Sequence, residues 1–189
     1  MLWFDQFFKQ VAKHPVPVEE SQEKYYLLID TTFDEYPKPV SEAQINRCYK
    51  ELSDYCEERG AKLKVKLHPW NYEHSNLLIH PNIEYLRKLE EKDLHAVIAG
   101  CEACFGFYST LTFPILAVKP VIQIQYDGIY LKLLEEKGLT PVIDFYSFTK
   151  EDIHFPGKDV YEHHQPDLEY LLFKTDGAAT ERLKQILIS

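Results

Sequence analysis

The sequence predicts an α/β protein: a Rossmann-like, open and mostly parallel sheet with helices on both faces. Three observations lead there. Short apolar runs of strand length alternate along the chain with segments of helical period, the pattern of βαβ units. The runs end in polar or turn-forming residues, as YYLLID ends in Asp30 and KVKL in His68-Pro69. The chain is 189 residues with 45% hydrophobic residues, which suits one packed domain at roughly 100–200 residues per domain.

Residues 1–13 carry Leu2, Trp3, Phe4, Phe7, Phe8 and Val11 and read as a short aromatic helix, which His14-Pro15-Val16-Pro17 breaks. Residues 14–24 are rich in Pro and Glu and read as a linker. The expected division is therefore an appended helix and Pro-rich linker over 1–24, and a domain over 25–189 that closes with a helix.

Residues 25–30 form a compact apolar run ending in an acid, as a buried parallel strand does. Residues 31–40 are a loop with two prolines. Ser41 and Gln44 make a capping box, and Ile45, Cys48, Tyr49, Leu52 and Cys56 follow at helical spacing until Gly60. Residues 62–67 alternate, with Leu63, Val65 and Leu67 on one face and lysines on the other. Lysines are unusual on a central parallel strand, so either their stems snorkel or that face is wet.

Residues 70–82 show no period. Strands are expected at 83–86, 103–108, 120–125 and 141–145, and helices at 90–100, 110–118, 127–137 and 175–187. The last of these helices carries Leu183, Ile186 and Leu187 on one side, and Gly138 ends the one before it. No internal repeat is visible.

Charge and cysteines exclude several classes. Lys and Arg total 21 against 30 Asp and Glu, a net charge of −9. That argues against nucleic acid as the partner, while leaving room for a local basic pocket. Cys48 and Cys56 fall on one helix, and Cys101 and Cys104 form a single C-x-x-C. These read as reduced, buried thiols of a cytoplasmic protein, and a four-cysteine zinc site lacks its second pair.

Asp5 and Lys9 interrupt the apolar start, and no small-residue cleavage site follows, so no signal peptide is expected. The longest uncharged stretch, 103–118, is shorter than the roughly 20 residues of a membrane span and contains Ser109, Thr110, Thr112 and Pro114. The protein is not expected to be integral to a membrane.

In open sheets of this kind, ligands bind at the carboxyl ends of the strands. That places residues 30–34, 68–70 and 108–110 on one rim. Pro69 fixes the turn after one strand, and His68 is held there, able to donate to a phosphate or act as an acid. The plain alternative is a turn histidine with no role. Ser109-Thr110 ends a later strand just before an apolar helix, and two hydroxyls with free N–H groups suit an anion. The plain alternative there is an ordinary helix cap.

Neither G-x-G-x-x-G nor G-x-x-x-x-G-K-[ST] is present, which disfavours a dehydrogenase or a P-loop nucleotidase. No G-x-S-x-G offers a nucleophile. His68, His74 and His80 are spaced unlike common metal ligands, and His163-His164 lies in a polar tail. Glu90, Glu91, Lys92 and Asp93 read as a solvated helix start, or as a place where one acid reaches a ribose. No metal or resident cofactor is expected.

The segments LLIDTTFDE, VKLHPW and CFGFYSTLTFPILAVKPVIQI, in this order and spacing, resemble the C-terminal half of GT-B glycosyltransferases. The likeness is to bacterial lipooligosaccharide sialyltransferases and polysialyltransferases, over roughly residues 25–145. Their His-Pro and Ser-Ser or Ser-Thr motifs match His68-Pro69 and Ser109-Thr110 here. Related capsule and glycerophosphate transferases share the same logic.

The resemblance implies a nucleotide-sugar donor, CMP-sialic acid, and a cell-surface glycan as acceptor. It implies His68 as the catalytic group, with His68, Pro69, Ser109, Thr110, Asp30 and Thr31 around the nucleotide and its phosphate. Fixed donors there stabilise the charge that grows on the leaving phosphate, without a metal. In such enzymes a second Rossmann-like half precedes this one and carries the acceptor site and the acid/base carboxylate. Here 24 residues precede the first strand. The acceptor is therefore expected to meet a missing N-terminal half or a partner subunit, in the cytoplasm or at the inner membrane face. A homo-oligomer is compatible with this. The rival from another class is a non-catalytic α/β interaction module that keeps the fold.

Overall fold

The computed structural model describes residues 6–9, 23–33, 38–74, 77–157 and positions 178, 180, 181 and 185. In chain order the elements are β1 (Tyr25–Ile29), α1 (Glu42–Glu57), β2 (Lys62–Lys66), α2 (Asn71–His74), β3 (Ile83–Leu86), α3 (Glu91–Gly100), β4 (Cys104–Gly106), α4 (Thr112–Leu116), β5 (Val121–Gln125), α5 (Lys132–Glu136) and β6 (Val142–Asp144), followed by a 3₁₀ turn at Lys150–Asp152.

The six strands form one sheet in the order β3-β2-β1-β4-β5-β6, and all five pairings are parallel. The chain winds outward from β1 to β3, returns across the sheet to β4, and winds outward the other way. The order thus reverses between β1 and β4, which makes the gap between their carboxyl ends the topological switch point. The Rossmann-like expectation holds.

Strand alternation divides the core in two. One face carries Leu28, Leu63, Val65, Leu67, Phe105, Phe107, Ile122, Ile124 and Phe145 and packs against Cys48, Tyr49, Leu52, Tyr55 and Cys56 of α1. The other carries Leu27, Ile29, Cys104 and Val121 and packs against Leu94 and Ile98 of α3, Ile115 and Leu116 of α4, and Leu134 of α5. Phe7 and Phe8 belong to this second core, and Phe7 meets His95 edge-on at 5.2 Å. Both phenylalanine side chains are buried there. Residues 6–9 are helical. The remainder of that segment, nearly all of the 14–24 linker, most of the 175–187 helix and His163-His164 lie outside the described residues.

Local signals place α1 well. Gln44 N–H donates to Ser41 Oγ, and the Gln44 side chain accepts from Ser41 N–H, so the capping box forms as expected. Gly60 adopts φ +63° just beyond the helix, where a side chain would be strained.

Two of the three lysines on that face of β2 are paired. Lys62 meets Glu23 at 2.9 Å, and Lys64 meets Glu84 at 3.1 Å while lying over the Tyr25 ring. All four cysteines are free and buried.

Two helices are shorter than the periodicity predicts. The expected 127–137 helix is only Lys132–Glu136, because Asp127 and Gly128 take positive φ and the Tyr126–Ile129 bridge makes a tight turn. The expected 110–118 helix begins at Thr112, because Ser109 Oγ accepts from Leu111 N–H and Ser109 C=O from Thr112 N–H, holding 109–111 in a turn. Conversely, the segment without a period contains the single-turn helix α2.

Candidate functional site

β1 supplies the centre of the carboxyl rim. Its last residues run on into Asp30, Thr31, Thr32 and Phe33, all of them buried. Burial pushes the Asp30 carboxyl above its usual range; hydrogen bonds from Tyr49, Asn71, Thr31 and His68 oppose the rise without cancelling it. Tyr49 Oη donates at 2.7 Å, Asn71 Nδ2 at 2.7 Å and the His68 N–H at 3.3 Å. Asn71 Nδ2 also donates to Thr31 C=O at 2.9 Å. Asp30 thus ties the end of β1 to the His68 turn and to α1.

β2, beside β1, delivers His68. The turn is set by Pro69 and by the bond from Asn71 N–H to His68 C=O. The half-buried imidazole is oriented by Trp70 N–H, which donates to Nδ1 at 3.3 Å. An Nδ1 that accepts leaves the ring proton on Nε2, so neutral His68 presents an N–H donor.

β4, on the other side of β1, delivers Tyr108, Ser109 and Thr110. Ser109 Oγ uses a lone pair on Leu111 N–H, and its own proton has no acceptor among the described residues. Thr110 is exposed. Neither residue is the N-cap of α4; that position is Leu111, which has no side-chain cap. His68, Asp30-Thr31 and Ser109-Thr110 therefore follow three adjacent strands of one parallel sheet and share its carboxyl rim.

An aromatic floor lies beneath them. Phe33 packs edge-on against Phe107 at 5.2 Å and lies 5.5 Å from Phe145, while Tyr126 meets Phe145 edge-on at 5.6 Å. Farther along the loop after β1, Lys38 pairs with Asp127 at 2.9 Å, and its carbonyl accepts from Tyr126 Oη. Three of the five exposed large apolar or aromatic side chains among the described residues, Trp70, Tyr108 and Tyr146, stand at this same rim. Each can offer a flat apolar surface to a ring.

His80 lies away from this rim. His80 Nδ1 is 3.1 Å from Ser53 Oγ and accepts from Asn82 N–H. With Asp54 and Glu57 it forms the one grouping of potential metal-ligating side chains among the described residues. It lies at the amino end of the sheet, and Asp54 is already paired with Lys50. Glu90 pairs with Lys92 at the start of α3. Sequence reasoning missed Tyr49 and Asn71; the nearest available signal was that Asn71 stands three residues after His68 at a Pro-bounded turn.

Neither a protein-family model nor a curated protein sequence matches the chain. Several solved structures do. A variant of the wall teichoic acid polymerase TagF soaked with CDPG matches with a TM-score of 0.55 and 16% identity, over 98% of this chain and 48% of that one. A kitacinnamycin glycosyltransferase matches at 0.56 and 12%, over 87% and 42%. The Methanocaldococcus jannaschii UDP-GlcNAc 2-epimerase, in complex with UDP-GlcNAc and UDP, matches at 0.54 and 12%, over 89% and 53%. The chain spans about half the length of these structures. Its fold is that of one Rossmann-like half of a GT-B glycosyltransferase. No described helix is long and apolar enough to cross a membrane.

Proposed function

We propose that this chain is the donor-binding part of a sialyltransferase-like glycosyltransferase that uses CMP-sialic acid and passes the sugar to a cell-surface glycan. One observation carries the reading: His68, Asp30-Thr31 and Ser109-Thr110 meet on the carboxyl rim around the switch point. Open α/β sheets take their ligands there. His68 Nε2–H and the Ser109 and Thr110 hydroxyls donate to the donor phosphate, while buried Asp30 holds the His68 turn in place.

In transfer, the acceptor oxygen bonds to the anomeric carbon as the bond from that carbon to the phosphate oxygen breaks. CMP leaves with the electron pair, and the acceptor's proton passes to a base on an N-terminal half or partner subunit. Donors fixed on the phosphate strengthen as its charge grows, which is where rate is gained. The reading calls on no metal, and it places the protein in the cytoplasm or at the inner membrane face.

The CDPG soak of the teichoic acid polymerase and the UDP ligands of the epimerase support a second reading, in which the donor is a different nucleotide conjugate.

The test is calorimetric binding of CMP, CMP-sialic acid, CDP, UMP and GMP. Cytidine nucleotides should bind best. His68→Ala should weaken CMP by roughly 10- to 150-fold, the worth of a hydrogen bond to a charged group, about 1.5–3 kcal/mol. The thermal midpoint of the unliganded variant should stay put. Ser109→Ala and Thr110→Ala should each cost less. Unchanged CMP affinity in His68→Ala removes that residue from the site. Failure of every nucleotide at millimolar concentration leaves the non-catalytic module standing.

A further inference from the structure

Lys66 is the last residue of β2 and stands two residues before His68. Strand alternation sets its side chain with Lys62 and Lys64, on the face opposite Leu63, Val65 and Leu67. The two upstream lysines are matched by Glu23 and Glu84. Lys66 is not. It lies between Ile29 and Leu86 in the sheet register, is only partly exposed, and has no hydrogen-bond or ion-pair acceptor among the described residues.

The neighbouring acid does not serve it. Asp30 N–H bonds to Lys66 C=O, but the Asp30 carboxylate belongs to the opposite face, where Tyr49, Asn71 and the His68 N–H take it up. Burial pulls the ammonium below the ordinary lysine range, and the Asp30 charge only partly opposes this. A partly buried ammonium without a partner loses some of its hydration at a cost in free energy. At the carboxyl rim that cost is recovered when an anion arrives from solution.

We propose that Lys66 is a binding residue of the same site and takes a second anionic group of the donor, beyond the phosphate held by His68 and Ser109-Thr110. The inference rests on the nucleotide-donor reading above. Two sources offer the same chemistry: the second phosphate of a nucleoside diphosphate, or a carboxylate on the sugar.

The experiment measures affinities of CMP, CDP and CMP-sialic acid for the wild type, Lys66→Met and Lys66→Arg. In the wild type, CDP or CMP-sialic acid should bind more tightly than CMP. Lys66→Met should weaken that preferred ligand by roughly 10- to 100-fold more than CMP. Lys66→Arg should restore much of the difference, because it keeps the charge. The ligand that loses affinity identifies the source of the anion. The thermal midpoint of unliganded Lys66→Met should hold or rise, since an uncompensated charge is gone.

Equal wild-type affinities for all three ligands overturn the inference without any variant. So does a Lys66→Met protein that loses all three alike, the mark of a structural role. A wild type that binds none of them overturns the donor reading itself, and this inference with it.

Discussion

Asp30 illustrates how a single buried group organises the rim. Its folded pKa lies above the usual carboxylate value because burial outweighs the bonds it accepts. The native state therefore holds that proton more tightly than the unfolded chain. The contribution of this group to stability is complete below about pH 4 and is lost as pH rises through the raised folded value. Above that window the carboxylate is a buried charge that depends on Tyr49, Asn71 and the His68 N–H. Tyr49→Phe removes one donor and should cost about 1–3 kcal/mol at pH 7. The penalty should shrink on acidification, as the carboxyl takes up its proton; urea titrations at several pH values measure it. A penalty that does not vary with pH would mean that Tyr49 contributes only packing. The position of Asp30 at the end of an apolar run is legible in the sequence. Its role is not, because its partners lie 19, 38 and 41 residues away.

The elements divide by whether their cause is local. α1 is announced by Ser41, Gln44 and a helical stripe, all within a few turns, and the structure forms each of them. Ser41→Ala should cost about 1 kcal/mol by leaving first-turn N–H groups without their acceptor, while Ser41→Gly should cost only a few tenths. Chemical denaturation of the two variants measures the difference, and equal losses would point to a contact other than the cap. α5 shows the opposite case. Its first half is surrendered to the turn at Asp127-Gly128, which is fixed by contacts from afar: Lys38 to Asp127, and Tyr126 to the Lys38 carbonyl. The lysines of β2 fall between. Alternation places them on one face, but only the strand order shows that Glu23 and Glu84 come to meet two of them and leave the third at the rim.

At the scale of the molecule, the reversal of strand order assembles the candidate site. The sequence supplies strands and loops, and the pattern of alternation already requires the loops to share a rim. The β3-β2-β1-β4-β5-β6 order then places β1 between the strands that carry His68 and Ser109. A ligand seated at this switch point touches loops from both halves of the sheet and should couple them. A ligand that binds only the folded state stabilises by RT ln(1 + [L]/Kd), about 2.7 kcal/mol at a hundredfold excess over Kd. Opening of the rim loops should be suppressed more than opening elsewhere, because those loops contact the ligand directly. With saturating CMP, hydrogen exchange should slow at 30–33, 68–72 and 107–112 together. Exchange at the amino end, around 80–82 and 101–103, should change only where it requires global unfolding. Protection confined to one rim loop would mean that the nucleotide binds on one half of the sheet and that the switch point is not its seat.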